Sequence, residues 1–185
     1  MKRILLAGLP GSGKTTQAKK LADELELCVV SVGDALREMA KEDTKLGEVV
    51  KEEMSKGDFV DDALAAQVVR QKINSEACVN GFVVDGYPRS LAQIDQYDPE
   101  FNQIIFVDIS SEEAERRLLS RGRMDDDLTV VKHRLKVYEE HTKPIIEYFE
   151  KLGLVKVIDG ESDVDTVYSR IIEALSTNET KAALN

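Results

Sequence analysis

A glycine-rich segment near the start of the chain restricts the possible folds more than any other part of the sequence. Residues 8–15 read Gly-Leu-Pro-Gly-Ser-Gly-Lys-Thr, which satisfies the pattern GxxxxGK[ST]. The segment follows a short apolar run, Lys2–Ala7, and overlaps the start of a stretch, Lys14–Leu25, whose apolar side chains recur at helical spacing. A buried strand, a glycine-rich turn and a helix in this order predict a phosphate-binding loop at the carboxyl end of the strand.

The residue types in this loop suit the binding of a nucleoside triphosphate. Glycines let the backbone bend around an anion and direct successive N–H groups inward, and the following helix presents the positive end of its dipole. Lys14 can reach the β- and γ-phosphates, and the hydroxyl of Thr15 can ligate Mg²⁺. We therefore expect the triphosphate to be bound by Pro10, Gly11, Ser12, Gly13, Lys14, Thr15 and Thr16. The alternative interpretation is a glycine-rich turn followed by a solvated lysine.

Four further apolar runs alternate with longer helical stretches, and this alternation indicates the fold class. The expected strands after the first are Leu27–Ser31, Gly81–Asp85, Gln103–Ile109 and Leu154–Ile158. Strands joined by helices predict an α/β fold, here a five-stranded parallel sheet of the P-loop NTPase type with helices on both faces.

Two regions depart from this rhythm. Residues 33–75 read as three consecutive helices, about Asp34–Lys41, Lys45–Lys56 and Asp61–Asn74, which suggest a helical insertion. Residues 128–149 read as one long helix that Pro144 kinks or breaks. We expect a single domain over residues 1–185, with a core of 1–32, 76–120 and 128–176, the insertion at about 33–75 and a short lid at about 121–127.

Composition excludes several classes of protein. The chain has 185 residues and a formal net charge of −10, which argues against nucleic-acid binding because that affinity comes largely from Lys and Arg. The apolar run at the N-terminus is too short for a signal peptide, and no segment has the length of a membrane span. Cys28 and Cys78 lie far apart in sequence, and each is expected to be a small buried residue. These features together predict a cytoplasmic protein.

Asp85 is an acidic residue at the end of an expected strand, the run Gly81–Asp85. An aspartate at the carboxyl end of a buried parallel strand faces the crevice where ligands bind, and there it can hold Mg²⁺ directly or through water. The alternative is a turn aspartate that caps the next segment.

Pro88 fixes the backbone just before Arg89, a geometry that would aim this arginine rigidly at a phosphate.

Arginines are concentrated between residues 116 and 134. Arg117 and Arg121 share one helix face, and Arg123 follows Gly122 in a loop. Phosphoryl transfer depends on positioning and charge stabilisation, which arginines supply, so we expect functional roles for Arg121, Arg123 and Arg134 and a surface position for Arg116. The acidic run at residues 125–127 either holds these arginines or caps the next helix.

These residues together resemble the adenylate kinase family of nucleoside monophosphate kinases. The resemblance extends from Leu5 to about Ala174 and rests on four segments in the family's order and spacing. They are residues 8–18 (Gly-Leu-Pro-Gly-Ser-Gly-Lys-Thr-Thr-Gln-Ala), residues 31–37 (Ser-Val-Gly-Asp-Ala-Leu-Arg), residues 85–89 (Asp-Gly-Tyr-Pro-Arg) with Gln93, and residues 121–126 with Arg134.

The resemblance implies a role for each matching residue. Lys14 would hold the donor phosphates, Arg117 would lie on the donor base, and Asp85 with Thr15 would position Mg²⁺. Arg121, Arg123 and Arg134 would surround the moving phosphoryl group, with Arg123 on a mobile lid. Acceptor binding would fall to Val32, Arg37, Asp58, Phe59, Val60, Gly86, Tyr87, Pro88, Arg89, Gln93, Arg123 and Arg134. The catalytic set would be Lys14, Arg89, Arg121, Arg123 and Arg134.

The sequence departs from the family's pattern at two places. Val32 stands where the family carries threonine or a small residue, so a hydroxyl near the acceptor base is missing. Only Gly122 separates Arg121 from Arg123, which makes the lid very short and leaves no room for a zinc site. We expect Mg²⁺ with the nucleotide, no structural zinc, and loose discrimination among donor bases.

The leading expectation is phosphoryl transfer from Mg·ATP to AMP, giving two ADP. A kinase for UMP or CMP is the close alternative, and a P-loop ATPase or nucleotide switch is a more distant one. Expected partners are a nucleoside triphosphate and a nucleoside monophosphate, with no nucleic acid and no membrane. His133 and His141 are expected to face solvent or to cap a helix, and the oligomeric state, monomer or homo-oligomer, stays open.

Overall fold

The computed structural model describes residues 1–123 and 126–182, with side chains described as far as Ser176. Its centre is a five-stranded, all-parallel sheet with strand order β2-β3-β1-β4-β5. The strands are β1 (Lys2–Ala7), β2 (Cys28–Ser31), β3 (Gly81–Asp85), β4 (Gln103–Asp108) and β5 (Val155–Asp159). Each expected strand is present, with limits within one residue of those predicted. The α/β prediction is therefore confirmed.

Helices cover both faces of this sheet. They are α1 (Lys14–Leu25), α2 (Val32–Met39), α3 (Lys45–Lys56), α4 (Asp62–Ile73), α5 (Leu91–Gln96), α6 (Ser111–Arg121), α7 (Leu128–Val137), α8 (Lys143–Lys151) and α9 (Val164–Ala182). Alternate strand residues face two separate apolar clusters. Leu5 and Val84 join the cluster that includes residues of α4 and α8. Ile4, Leu6 and Val83 join the cluster that includes residues of α1 and α9.

The strand register sets where a ligand can bind. Asp85, at the end of β3, is level with Leu6 of β1 on one side and Ser31 of β2 on the other. The carboxyl ends of these three parallel strands therefore meet at one edge of the sheet. The glycine-rich loop leaves β1 at that edge, and α2 leaves β2 there.

The helices between β2 and β3 begin and end with conventional caps. Thr44 caps α3 by accepting a hydrogen bond from Gly47 N, and Asp61 caps α4 by accepting one from Leu64 N. Gly57 ends α3 with a φ of 83°, in the left-handed region that favours glycine. The bounds of α3 match the prediction, whereas α2 begins two residues earlier than expected, directly after its cap Ser31.

The helical stretch expected over residues 128–149 is present and is interrupted near Pro144, where a kink or break was expected. A π-helical turn, Tyr138–Thr142, separates α7 from α8. Pro144 lies at the start of α8, and it has no N–H to donate to the carbonyl four residues earlier, which its ring would also crowd. A π turn just before the proline relieves that conflict and keeps the chain helical.

The two cysteines also differ from the expectation. Cys28 and Cys78 form a disulfide, with their Cα atoms 4.9 Å apart. Cys28 opens β2, and Cys78 ends a short 3₁₀ turn, Glu76–Cys78, just before β3. Because β2 and β3 are neighbours and run parallel, both cysteines lie at the same end of the sheet.

In the described part of the chain, no helix has the length and apolar character that a membrane crossing requires.

Candidate active site

A cavity of about 360 Å³ opens at the carboxyl ends of the strands. Apart from Ser12, every predicted site residue lines this one cavity. Ser12 lines a smaller pocket beside it, together with Gly11, Gly13, Thr16 and Arg117. Residues from five separate parts of the sequence are thus brought together at one place.

The glycine-rich loop forms one wall of the cavity. Gly8 has a φ of 141°, and a Cβ built there would lie 2.3 Å from the carbonyl oxygen of Val107, so no other residue fits. Lys14 Nζ donates hydrogen bonds to the carbonyl oxygens of Gly8 (2.8 Å) and Leu9 (2.7 Å). Burial lowers the pKa of Lys14 to about 8, and the nearby Asp85 carboxylate opposes this shift.

Thr15 and Asp85 meet at the bottom of this wall. The Thr15 hydroxyl donates a short hydrogen bond to the carboxylate of the buried Asp85. The two oxygen groups that the sequence predicts for Mg²⁺ are therefore adjacent, although 70 residues separate them. A hydroxyl and a carboxylate are hard oxygen ligands of the kind that Mg²⁺ prefers, so the residues present fit this ion.

Arg89 lies on the opposite wall and is held from several sides. Its Nε donates to the carbonyl of Gly86 (3.0 Å), and its backbone N–H donates to Oε1 of Gln93 (2.7 Å). Its own carbonyl accepts a hydrogen bond from the Thr142 hydroxyl (2.9 Å). The guanidinium lies over the ring of Phe59, 5.7 Å from the centroid. Burial lowers the pKa of Arg89, so the cost of this buried charge favours an anionic partner.

Gln93 and Tyr87 support this wall. The Gln93 amide oxygen accepts a hydrogen bond from the Arg89 backbone, and Gln93 lines the cavity. Tyr87 is fully buried, and its hydroxyl lies 2.6 Å and 2.7 Å from the carbonyl oxygens of Gln93 and Tyr97. Burial raises the pKa of Tyr87, which keeps this hydroxyl protonated as a donor.

Three of the predicted arginines converge on one carboxylate. Asp126 accepts hydrogen bonds from Arg121 Nε (2.8 Å) and Nη2 (2.7 Å), from the Arg123 backbone N–H (3.1 Å) and from Arg134 Nη1 (3.4 Å). Asp127, the next residue, caps α7 by accepting from Thr129 N (2.8 Å). Both roles considered for the acidic run therefore occur, on different residues. Met124 and Asp125 lie outside the described residues.

The remaining predicted arginines also have acidic or carbonyl partners. Arg37 forms a short ion pair with Asp34. Arg117 donates to Glu113 (2.5 Å) and to the carbonyl of Gly160 (3.0 Å), which places it beside the loop that follows β5. Arg116 lies on the surface, as expected, and pairs with the same glutamate.

Comparison with known proteins identifies the family. The family model described as adenylate kinase matches residues 6–154. The adenylate kinase of Renibacterium salmoninarum is 38% identical over 186 residues, covering 95% of this chain and 96% of its own length. The chain belongs to the adenylate kinase family.

Further members of the family give similar values. The adenylate kinase of Synechococcus sp. RCC307 is 38% identical over 181 residues, covering 94% of this chain and 98% of its own length. That of Kocuria rhizophila is 35% identical over 186 residues, with 95% and 99% covered. The resemblance inferred from the motifs is therefore confirmed at the level of the family.

Two features of this adenylate kinase family member escaped the sequence analysis. Thr142 lies 53 residues from Arg89, whose carbonyl it contacts, and the π turn that places it there had no sequence signal beyond Pro144. His133 and His141 are both exposed, in line with the expectation that they face solvent. Their contacts were not predicted: His133 Nε2 lies 2.7 Å from Oδ1 of Asp58, and the His141 ring packs edge-on against Phe59 at a centroid distance of 6.0 Å.

Proposed function

We propose that this chain transfers the γ-phosphoryl group of Mg·ATP to AMP and thereby forms two molecules of ADP. The observation that carries this proposal is the pairing of two phosphate-binding walls in a single cavity. One wall is the glycine-rich loop with Lys14, and the other carries Arg89 and Arg37. An ATPase or nucleotide switch needs only the first wall, whereas a transferase needs both.

Donor binding is assigned to the loop wall. Residues 10–16 would enclose the triphosphate with their backbone N–H groups and the Lys14 ammonium, and Arg117 would lie on the donor base. Thr15 and Asp85 would hold the Mg²⁺ that accompanies the nucleotide, Asp85 in part through water. When bound, this ion would neutralise negative charge that develops on the phosphate groups.

Acceptor binding is assigned to the opposite wall. Arg37 and Arg89 would grip the acceptor phosphate, and the base would lie among Val32, Asp58, Phe59, Val60, Gly86, Tyr87, Pro88 and Gln93. The amide nitrogen of Gln93 can donate to a ring nitrogen of adenine, which favours AMP. The buried Val32 supplies no hydroxyl there, so we expect the margin over UMP and CMP to be modest.

The transfer itself requires mainly positioning and positive charge. Arg121, Arg123 and Arg134 line the same cavity and would surround the phosphoryl group as it moves from donor to acceptor oxygen. Direct displacement suits this arrangement, because the two nucleotides would face each other across the cavity. We propose that the insertion at residues 33–75 and the short lid at residues 121–127 close over the nucleotides and exclude water.

The test is a coupled assay with Mg·ATP and each of AMP, UMP and CMP as acceptor. AMP should give the highest kcat/KM, and a higher value with UMP would reassign the acceptor. With AMP fixed, ATP, GTP, CTP and UTP should give comparable rates because the lid covers little of the donor base. A preference for ATP of about a hundredfold, equivalent to about 2.7 kcal/mol of discrimination, would contradict the loose donor selectivity.

A further inference from the structure

The end of α3 and the loop that follows it contact α7 at three points. Arg134 Nη2 lies 3.4 Å from the carbonyl oxygen of Met54. A Cβ built on Gly57 would lie 3.1 Å from side-chain atoms of both Arg134 and Val130, so the loop backbone packs directly on the helix. The third point is the hydrogen bond of 2.7 Å between His133 and Asp58. This anchored segment, residues 57–60, is called the acceptor loop below.

The acceptor loop continues directly into the cavity. Phe59 and Val60 follow Asp58 and line the cavity on the side of Arg89. Phe59 contacts the Arg89 guanidinium on one side and His141 on another. The chain has two histidines. His133 contacts Asp58 and His141 contacts Phe59, the next residue of the acceptor loop. A displacement of Asp58 would move the residues assigned to the acceptor base.

We propose that His133 is a positioning residue for the acceptor site, and that it fixes the acceptor loop on α7 through its hydrogen bond to Asp58. This inference rests on the proposed function. His133 does not line the cavity, so it acts through Asp58 and not on the substrate. Because Arg134 is the next residue of α7, the same contact sets the distance between the acceptor pocket and an arginine assigned to the transfer.

Other charged groups surround the pair. Glu53 and Lys56 of α3 lie close enough to interact electrostatically with Asp58. On α7 itself the neighbouring charges are Lys132 and Arg134. Both members of the pair are about half exposed, at 42% and 48% for the side chains, so the effect on binding is moderate.

The decisive experiment measures KM for AMP at saturating Mg·ATP in wild type and variants. His133→Ala should raise KM for AMP about threefold to fivefold, with kcat within about twofold and KM for ATP unchanged. His133→Lys, which keeps a hydrogen-bond donor for Asp58 on α7, should restore a KM near that of wild type. Lys132→Ala removes an exposed cation from the same helix and serves as the matched control, with unchanged KM.

A double variant separates positioning from general stability. In an Asp58→Asn background, His133→Ala should cause no additional rise in KM for AMP, because the partner is already lost.

The outcomes distinguish this inference from the proposed function. If wild type does not phosphorylate AMP, the proposed function fails. If wild type is active and His133→Ala has an unchanged KM for AMP, or raises KM for ATP equally, the positioning role of His133 is wrong. A further rise in KM for AMP on adding His133→Ala to the Asp58→Asn background would show that His133 does not act through Asp58.

Discussion

Arg121 and Asp126 form a bidentate ion pair, with distances of 2.8 Å from Nε to Oδ2 and 2.7 Å from Nη2 to Oδ1. The carboxylate is almost completely buried, with 1% of the side chain exposed. It also accepts from Arg134 and from the backbone of Arg123. One buried acid thus orients two guanidinium groups, which is the preorganisation expected for the transfer role that we propose for Arg121 and Arg134.

Replacing this acid by its amide should impair the transfer. Asp126→Asn removes the charge that fixes Arg121 and Arg134 while keeping the size of the side chain. Misplacement of a catalytic group by about 1 Å costs about a hundredfold, so we expect kcat/KM to fall by about tenfold to a hundredfold. The coupled assay measures this loss, and a thermal melt shows that the variant remains folded.

Asp127→Asn is the matched control for this experiment. Asp127 is the adjacent acid, it is exposed, and it caps α7. Asparagine caps a helix about as well as aspartate, so the melting temperature should change little and kcat should stay within about twofold. Equal losses of activity in the two variants would show that the position of Asp126 has no special role.

Arg89 offers a test of the acceptor wall. Arg89→Ala should lower kcat/KM for AMP by at least about a hundredfold, because a buried guanidinium aimed at a phosphate supplies both binding and charge. ATP binding, measured by calorimetry, should change little since the loop wall is separate. Arg116→Ala removes an arginine that is 68% exposed and should leave both quantities unaltered. Unchanged turnover in Arg89→Ala would remove the acceptor-phosphate assignment.

The sequence predicted those features that local pattern determines. The limits of β1, β3, α1 and α3 follow from apolar periodicity and from residues such as Thr44 and Gly57 that cap helices. The phosphate loop is equally local, since its glycines are needed for backbone conformation at that place. For this reason the fold class and the donor wall could be predicted before the structure was known.

Features that depend on contact between distant residues could not be predicted in the same way. The disulfide needs β2 and β3 to be neighbours, a fact of topology that two isolated cysteines do not reveal. The contact between His133 and Asp58 spans 75 residues. The π turn before Pro144 has nearly the apolar spacing of an ordinary helix, so periodicity alone could not locate it.

The pKa of Lys14 predicts how activity depends on pH. Burial lowers this pKa to about 8 in the free protein, so the ammonium loses its proton as the pH rises through that value. We expect kcat/KM for ATP to be constant just below about pH 8 and to fall about tenfold per unit above it. In the ATP complex the triphosphate favours the charged form, so kcat should begin to fall at a higher pH.

The same pKa shift affects stability in the opposite direction: as the pH rises, activity falls but the contribution of Lys14 to the free energy of unfolding increases. Unfolded Lys14 keeps its proton up to about the ordinary lysine pKa of 10.5, so between pH 8 and that value the unfolded state binds more protons. Stability therefore gains a favourable contribution from Lys14 as pH rises through this window. Rate profiles from about pH 6 to pH 10 provide the measurement, and a kcat/KM for ATP that stays level to pH 10 would contradict the lowered pKa.

The disulfide between Cys28 and Cys78 predicts a dependence of stability on redox conditions. It closes a loop with a sequence separation of 50, which contains α2, α3 and α4. Closing a loop of this length restricts the unfolded chain and contributes about 4 kcal/mol in the chain-entropy model. Reduction should lower the free energy of unfolding by up to this amount, which matters because reducing compartments disfavour disulfides.

Urea unfolding with and without a thiol reductant measures this contribution. The variants Cys28→Ser and Cys78→Ala should each match reduced wild type, and neither should respond to reductant, because either change removes the same bond. Alanine is used at position 78 because that side chain is buried and a hydroxyl there would lack a solvent partner. Coincident unfolding curves for oxidised and reduced wild type, with the thiol state checked by mass, would show that the bond does not stabilise the fold.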